Sequence, residues 1–222
     1  VAPNSITYSS NSIVGYRGLA ITPVTPTVGG GQVTSWEISP NLPTGLFIDS
    51  TTGEISGTPT IIMNPTDYMV WANNSGGSAT TIFTIELLDT PPTSIVYSPN
   101  SLSLSKDALM APITPTSTGG IVDNWSVSPA LPGGLSLDSS TGEISGTPLA
   151  MSPSTNYTVT ATNTAGSASV NLTIIVNDAA PSSITYNPSS FTLTLNSEMN
   201  SVTPTASGGA VQTWSIYPSL PA

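Results

Sequence analysis

A gapless internal repeat constrains this chain more than any other feature of its sequence. Trp36, Trp125 and Trp214 are each 89 residues apart, and the same interval separates Tyr8, Tyr97 and Tyr186, and Pro26, Pro115 and Pro204. The first copy reads LPTGLFIDSTTGEISGTPT from Leu42, the second LPGGLSLDSSTGEISGTPL from Leu131, and the third begins SLPA near the end of the sequence. A fixed period with no gap means that each copy is one structural unit and that units succeed one another head to tail. The boundaries fall at proline-bearing joints, giving modules over 1–91, 92–180 and 181–222. Joints this short and proline-rich are stiff, so the modules are expected to form a rod.

Within a module, apolar residues alternate with period two, which marks half-buried strands, and no segment carries a helical period. Tyr157, Val159 and Ala161 alternate with Thr158 and Thr160. The chain then turns at TNTAGS, and Val170, Leu172, Ile174 and Val176 alternate with Asn171, Thr173 and Ile175. With the strands before and after the Gly pairs and the short LSL and EIS strands, about seven strands fit each module. That count predicts an all-β fold of tandem seven-stranded Ig-like sandwiches. Trp36 and Trp125 share parity with Ile38 and Val127 and are expected to point into the core. Asp49 and Asp138 are expected to cap the turn that Gly53 and Gly142 close.

The LPxGLxxDxxTGxISGTP string, followed by the NYTVTATNxAGS hairpin, resembles the Putative Ig and dystroglycan-type cadherin-like modules arrayed in tandem on bacterial and archaeal surface proteins. The resemblance covers modules one and two and the first half of module three. It implies a sandwich that spaces, displays or adheres at the cell surface, and no shared catalytic residues to carry over.

Chemistry is narrowed further by composition. The chain has no His and no Cys, which removes Ser-His triads, thiol catalysis and ordinary zinc sites. A net charge of -10 argues against nucleic acid and anionic membrane surfaces as partners, and no stretch is apolar enough for a membrane helix. Paired carboxylates at Asp49 and Glu54 and at Asp138 and Glu143 read as turn residues rather than as an acid and base pair. Calcium needs only oxygen ligands, and the joints place Asp89 and Asp178 between modules. The VNDAAP joint resembles the tail of the calcium-binding joint of true cadherins, but offers one carboxylate where those offer several; a solvated aspartate is the alternative. Sequons begin at Asn73, Asn124, Asn156 and Asn171, of which Asn73 and Asn171 are expected to be accessible to glycosylation.

The two complete copies differ where side chains should face outward. Met69, Trp71 and Ile82 stand where module two has Thr158, Thr160 and Asn171, and Phe47 stands where it has Ser136. These four residues are the expected interaction patch, for other copies of the protein, neighbouring modules, or cell-surface proteins or glycans. The half module should leave Ile184, Tyr186, Phe191, Leu193, Leu195, Trp214 and Ile216 uncovered unless further sequence or another subunit completes it. The function expected is that of an extracellular structural and adhesive segment of a surface protein or filament. A carbohydrate-binding module and a spacer of a secreted hydrolase are the alternatives.

Overall fold

The computed structural model describes residues 1–220. Module one contains β1 (Pro3–Tyr8), β2 (Ser12–Tyr16), β3 (Pro26–Gly30), β4 (Ser35–Ser39), β5 (Leu46–Ile48), β6 (Ile55–Gly57), β7 (Met63–Asn74) and β8 (Gly77–Leu88). Module two repeats them as β9 (Pro92–Val96), β10 (Ser101–Ser105), β11 (Thr116–Gly119), β12 (Asn124–Ser128), β13 (Leu135–Leu137), β14 (Ile144–Gly146), β15 (Ser152–Asn163) and β16 (Gly166–Asn177). Each module thus has eight strand segments where seven were expected. The first strand is divided: β1 pairs antiparallel with β3, and after a three-residue break β2 pairs parallel with β8 in the opposite layer.

One layer of module one has the order β2-β8-β7-β4. The other is built from the β1–β3 pair and the β5–β6 hairpin, joined by a bridge between Val24 and Ile55. A separate core lies inside each module. In the first, Tyr68, Val70, Ala72, Phe83, Ile85 and Leu87 from the long hairpin pack against Ile6, Tyr8, Trp36, Leu46 and Ile55. The second core repeats these positions with Tyr157, Val159, Ala161, Leu172, Ile174 and Val176. The alternation seen in the sequence is therefore the alternation of inside and outside. Proline within β7 is accommodated by an irregularity in the ladder: the β7–β8 register slips between Met63 and Thr66, around Pro65.

The repeated tryptophans are core residues, Trp36 and Trp125 each being only 6% exposed. Each lies against a glycine that cannot be replaced. Gly53 has φ +74°, and a β-carbon there would fall 2.5 Å from the Trp36 ring; Gly142, also at φ +74°, meets Trp125 at 2.7 Å. The turn is held from both sides. The Tyr8 hydroxyl donates to the Gly53 carbonyl at 2.8 Å, and Tyr97 does the same to Gly142 at 2.5 Å. On the solvent side, Asp49 Oδ1 accepts from the Thr51 hydroxyl and from the backbone N–H groups of Thr51 and Thr52, at 2.6, 2.7 and 2.9 Å. Those donors hold the Asp49 carboxyl down at about 2, and backbone N–H donors from Thr141 and Ser140 lower that of Asp138. Burial pushes the Tyr8 and Tyr97 phenols up to about 12.

The third segment contributes β17 (Pro181–Thr185) and β18 (Thr205–Gly208), paired antiparallel as β1 and β3 are. Trp214, expected on a strand, lies outside any strand and is 52% exposed. The reason is visible in the complete modules: β4 and β12 exist by pairing with β7 and β15, and residues 181–220 hold no counterpart of those strands.

Gly53→Ala should cost its module about 3 kcal/mol or more in chemical denaturation, since it combines backbone strain with a clash against Trp36. Asp49 titrates lower in the folded chain than its ordinary 3.8, so its contribution is whole above pH 4 and is lost as pH falls toward 2. Tyr8 and Tyr97 titrate higher than 10, so theirs is whole below pH 10 and is lost as pH rises toward 12. Melting curves of Asp49→Asn/Asp138→Asn should show a flatter acid limb than the parent chain.

Candidate functional site: a sheet face and a clasped joint

The strand order of module one fixes which side chains share its outer face. Met69 on β7 stands directly opposite Ile82 on β8, and Trp71, two residues along β7, opposes Thr80. The three side chains are therefore neighbours on one face, Met69 41% and Ile82 53% exposed, with Trp71 half-buried between strands. Phe47 is also exposed, but it belongs to the β5–β6 hairpin, where it opposes Ser56 in a sheet separate from the other three. It is not part of their surface.

The parallel pairing of β2 with β8 extends the face in a way the sequence alone did not suggest. Val14 opposes Glu86 and Tyr16 opposes Leu88, so both side chains join the same outer surface and both are exposed. In module two the six apolar positions Val14, Tyr16, Met69, Trp71, Ile82 and Leu88 become Ser103, Ser105, Thr158, Thr160, Asn171 and Asn177. Both layers keep their strands, so the fold does not require the apolar side chains. Comparison of the copies at the 89-residue offset finds Leu88 from the alternation of β8 alone, and would have found Val14 and Tyr16 had the place of β2 in the sheet been legible.

Carboxylates are interleaved with this surface. Glu37 on β4 opposes Trp71, Glu86 opposes Val14, and Asp67 opposes Thr84, whose hydroxyl donates to Asp67 Oδ1 at 2.6 Å.

The second feature lies between the modules. Arg17, at the end of β2, donates through Nε and Nη2 to both carboxylate oxygens of Asp89, at 2.7 and 3.0 Å. The same Nη2 reaches Asp123 of module two at 2.8 Å. Asp89 in turn accepts from the hydroxyl of Thr164, in the β15–β16 turn of module two. Asp89 is thus bound by both modules, and its side chain is 1% exposed. Two further contacts close the joint. Asn163 donates to the Thr90 carbonyl at 2.7 Å, and Gly18 sits so close to Ile121 that a β-carbon there would fall 3.0 Å from its Cδ1.

A cation seeking Asp89 would have to displace the guanidinium, and no group of three acidic, His or Cys side chains fit for a metal occurs among the described residues. At the second joint Asp178 remains, but Arg17, Gly18, Ile121 and Asp123 are replaced by Lys106, Asp107, Ala210 and Gln212. Lys106 turns to its own neighbour, with Nζ 3.5 Å from Asp107. The two basic residues of the chain occupy one equivalent position, and among the described residues only the first bridges modules. As for the sequons, Asn171 is exposed opposite Thr158, whose hydroxyl donates to it at 3.1 Å; Asn73 lies at the end of β7, its carbonyl accepting from Thr34 at 2.8 Å.

Two eight-stranded sandwiches, each with a split first strand and a tryptophan core, define this as a tandem immunoglobulin-like protein. The family described as Putative Ig domain matches residues 3–88 and 89–177, and the chain belongs to that family. It is 34% identical over 145 residues to the "Serine-rich adhesin for platelets" of Staphylococcus aureus, a stretch that is 64% of this chain and 6% of that protein. In strain MRSA252 the same identity covers 10% of the relative, so the chain corresponds to a small part of these adhesins. Among solved structures it is similar to the titin domains Z1Z2 in complex with telethonin (18% identity, TM-score 0.40, 78% of this chain and 96% of that one). It is also similar to the N-terminal four Ig domains of Dscam1 isoform 4.44 (16% identity, TM-score 0.42, 80% of this chain and 47% of that one).

Removing the arginine should unlock the joint. In Arg17→Ala, pulsed-EPR distances between labels in modules one and two should broaden, while distances within either module stay sharp; an unchanged distribution would assign the rigidity to the backbone of the joint alone. Calcium and EDTA should give equal melting midpoints, because the Asp89 oxygens already have donors.

Proposed function

We propose that this chain is a stiff, surface-displayed segment of an adhesin, in which repeated sandwiches set distance and the outer sheet face of module one makes contact. The observation that carries the reading is the difference between copies. The two copies share their core and turn residues, whereas on this face Val14, Tyr16, Met69, Trp71, Ile82 and Leu88 stand where module two carries hydroxyls and amides. Exposed apolar surface of this kind lowers solubility unless a partner covers it. The relative's name describes adhesion to platelets; for this chain, adhesion at a cell surface is the corresponding role, with its own ligand. The Arg17 clasp supports it by keeping the contact face at a set angle to the module that follows.

The triple variant Met69→Thr/Trp71→Thr/Ile82→Asn installs the residues that module two already carries in the same geometry, and should leave melting of the chain close to that of the parent. Beads coated with the full chain and laid on cultured cell monolayers should adhere, and the variant should reduce the bound fraction about tenfold. Equal adhesion by parent and variant would remove this face from the function.

A further inference from the structure

Module one holds six carboxylates. Three of them, Asp49, Glu54 and Asp89, recur in module two as Asp138, Glu143 and Asp178, and belong to the turn and the joint. The other three are Glu37, Asp67 and Glu86, replaced in module two by Ser126, Asn156 and Ile175. All three lie on the outer face of the β2-β8-β7-β4 sheet, among the six apolar side chains that are likewise confined to module one. Charge and apolar area have been placed together on one surface and left out of its copy.

We infer that this face takes a cationic polypeptide, one that presents Lys or Arg side chains between apolar ones. This rests on the reading of the face as the contact surface and adds the chemistry of its partner. Apolar partner side chains would cover Val14, Met69, Ile82 and Leu88, while ammonium or guanidinium groups meet the three carboxylates. A cation placed against Glu37 also lies over the neighbouring indole of Trp71, where the ring quadrupole adds to the attraction. Negative potential from a chain of net charge -10 would steer such a partner in.

The other occupants fit less well. A second copy of this chain would bring its own carboxylates to the interface. Its two basic residues are already committed, Arg17 to Asp89 and Asp123, and Lys106 beside Asp107. A glycan would need adjacent aromatic rings. Tyr16 and Trp71 oppose Leu88 and Thr80, eight residues apart on β8, which separates them by about 27 Å. Aliphatic side chains fill the space between.

The test titrates a fluorescent alternating Lys–Leu peptide with the full chain at low and high salt. Compared are the parent, the face variant Glu37→Gln/Asp67→Asn/Glu86→Gln, and a control, Glu54→Gln/Glu143→Gln/Glu198→Gln, which loses equal charge elsewhere. The face variant should bind about tenfold more weakly and show a flatter salt dependence, with the control within about twofold of the parent. Equal loss in the control, or no loss in the face variant, overturns the inference. So does an oligosaccharide panel in which a sugar binds, depends on Trp71 and is not displaced by the peptide. The bead assay separates the two levels of reading. If the apolar triple variant stops adhesion and the acidic triple variant does not, the contact face stands and the cationic partner falls. If neither variant alters adhesion, both fall.

Discussion

Closure of the turn beneath the core tryptophan is the constraint on which each module depends. The DSTTGE and DSSTGE turns bring a glycine against the indole at a distance no side chain tolerates, and a tyrosine from the first strand satisfies the glycine carbonyl from within. First strand, tryptophan strand and hairpin are thereby tied to one point, from three separate parts of the sequence. The solvent-facing aspartate completes the turn without entering the core, and that structural role accounts for its recurrence in both modules. In residues 181–220, Tyr186 and Trp214 are present but the turn is not, and both rings are exposed.

Much of this was legible in the sequence because it is local or repeated. The inward parity of Trp36 and Trp125, the Asp49 cap, the left-handed Gly53 and the long hairpin all follow from patterns within a few residues of one another. The eighth strand segment was not legible. Whether residues 12–16 continue the first strand or cross to the other sheet is decided by β8, some seventy residues away, and an alternating run looks the same in either place. Missing that crossing also hid Val14 and Tyr16, since their direction depends on which sheet holds them. Grouping Phe47 with Met69 was the converse error: both are exposed, but exposure does not tell one sheet from another.

The joint illustrates a further boundary of sequence reading. Asp89 stood out as a lone acid between modules and suggested a cation. It does meet a cation, but one the protein supplies itself, from Arg17. The partner on the far side, Asp123, is more than a hundred residues along the chain, and no local pattern connects them. What the sequence did contain was the 89-residue offset between Arg17 and Lys106, in a chain with no other basic residue. Scarcity made that coincidence informative. Changes in four surrounding residues make the two joints chemically different, so a repeat of identical spacing need not be one of identical stiffness.

The split first strand has a mechanical consequence. Because β2 and β8 lie near opposite ends of the module and run parallel, tension on the chain draws them past each other along their length. Five residue pairs then resist together, as a patch loaded in shear, instead of parting one at a time as an antiparallel edge would when peeled. The shape that puts Val14 and Tyr16 on the outer face therefore also sets how the module yields to pulling. One run of five residues thus shapes the outer surface of the sheet and sets the direction in which the module resists tension.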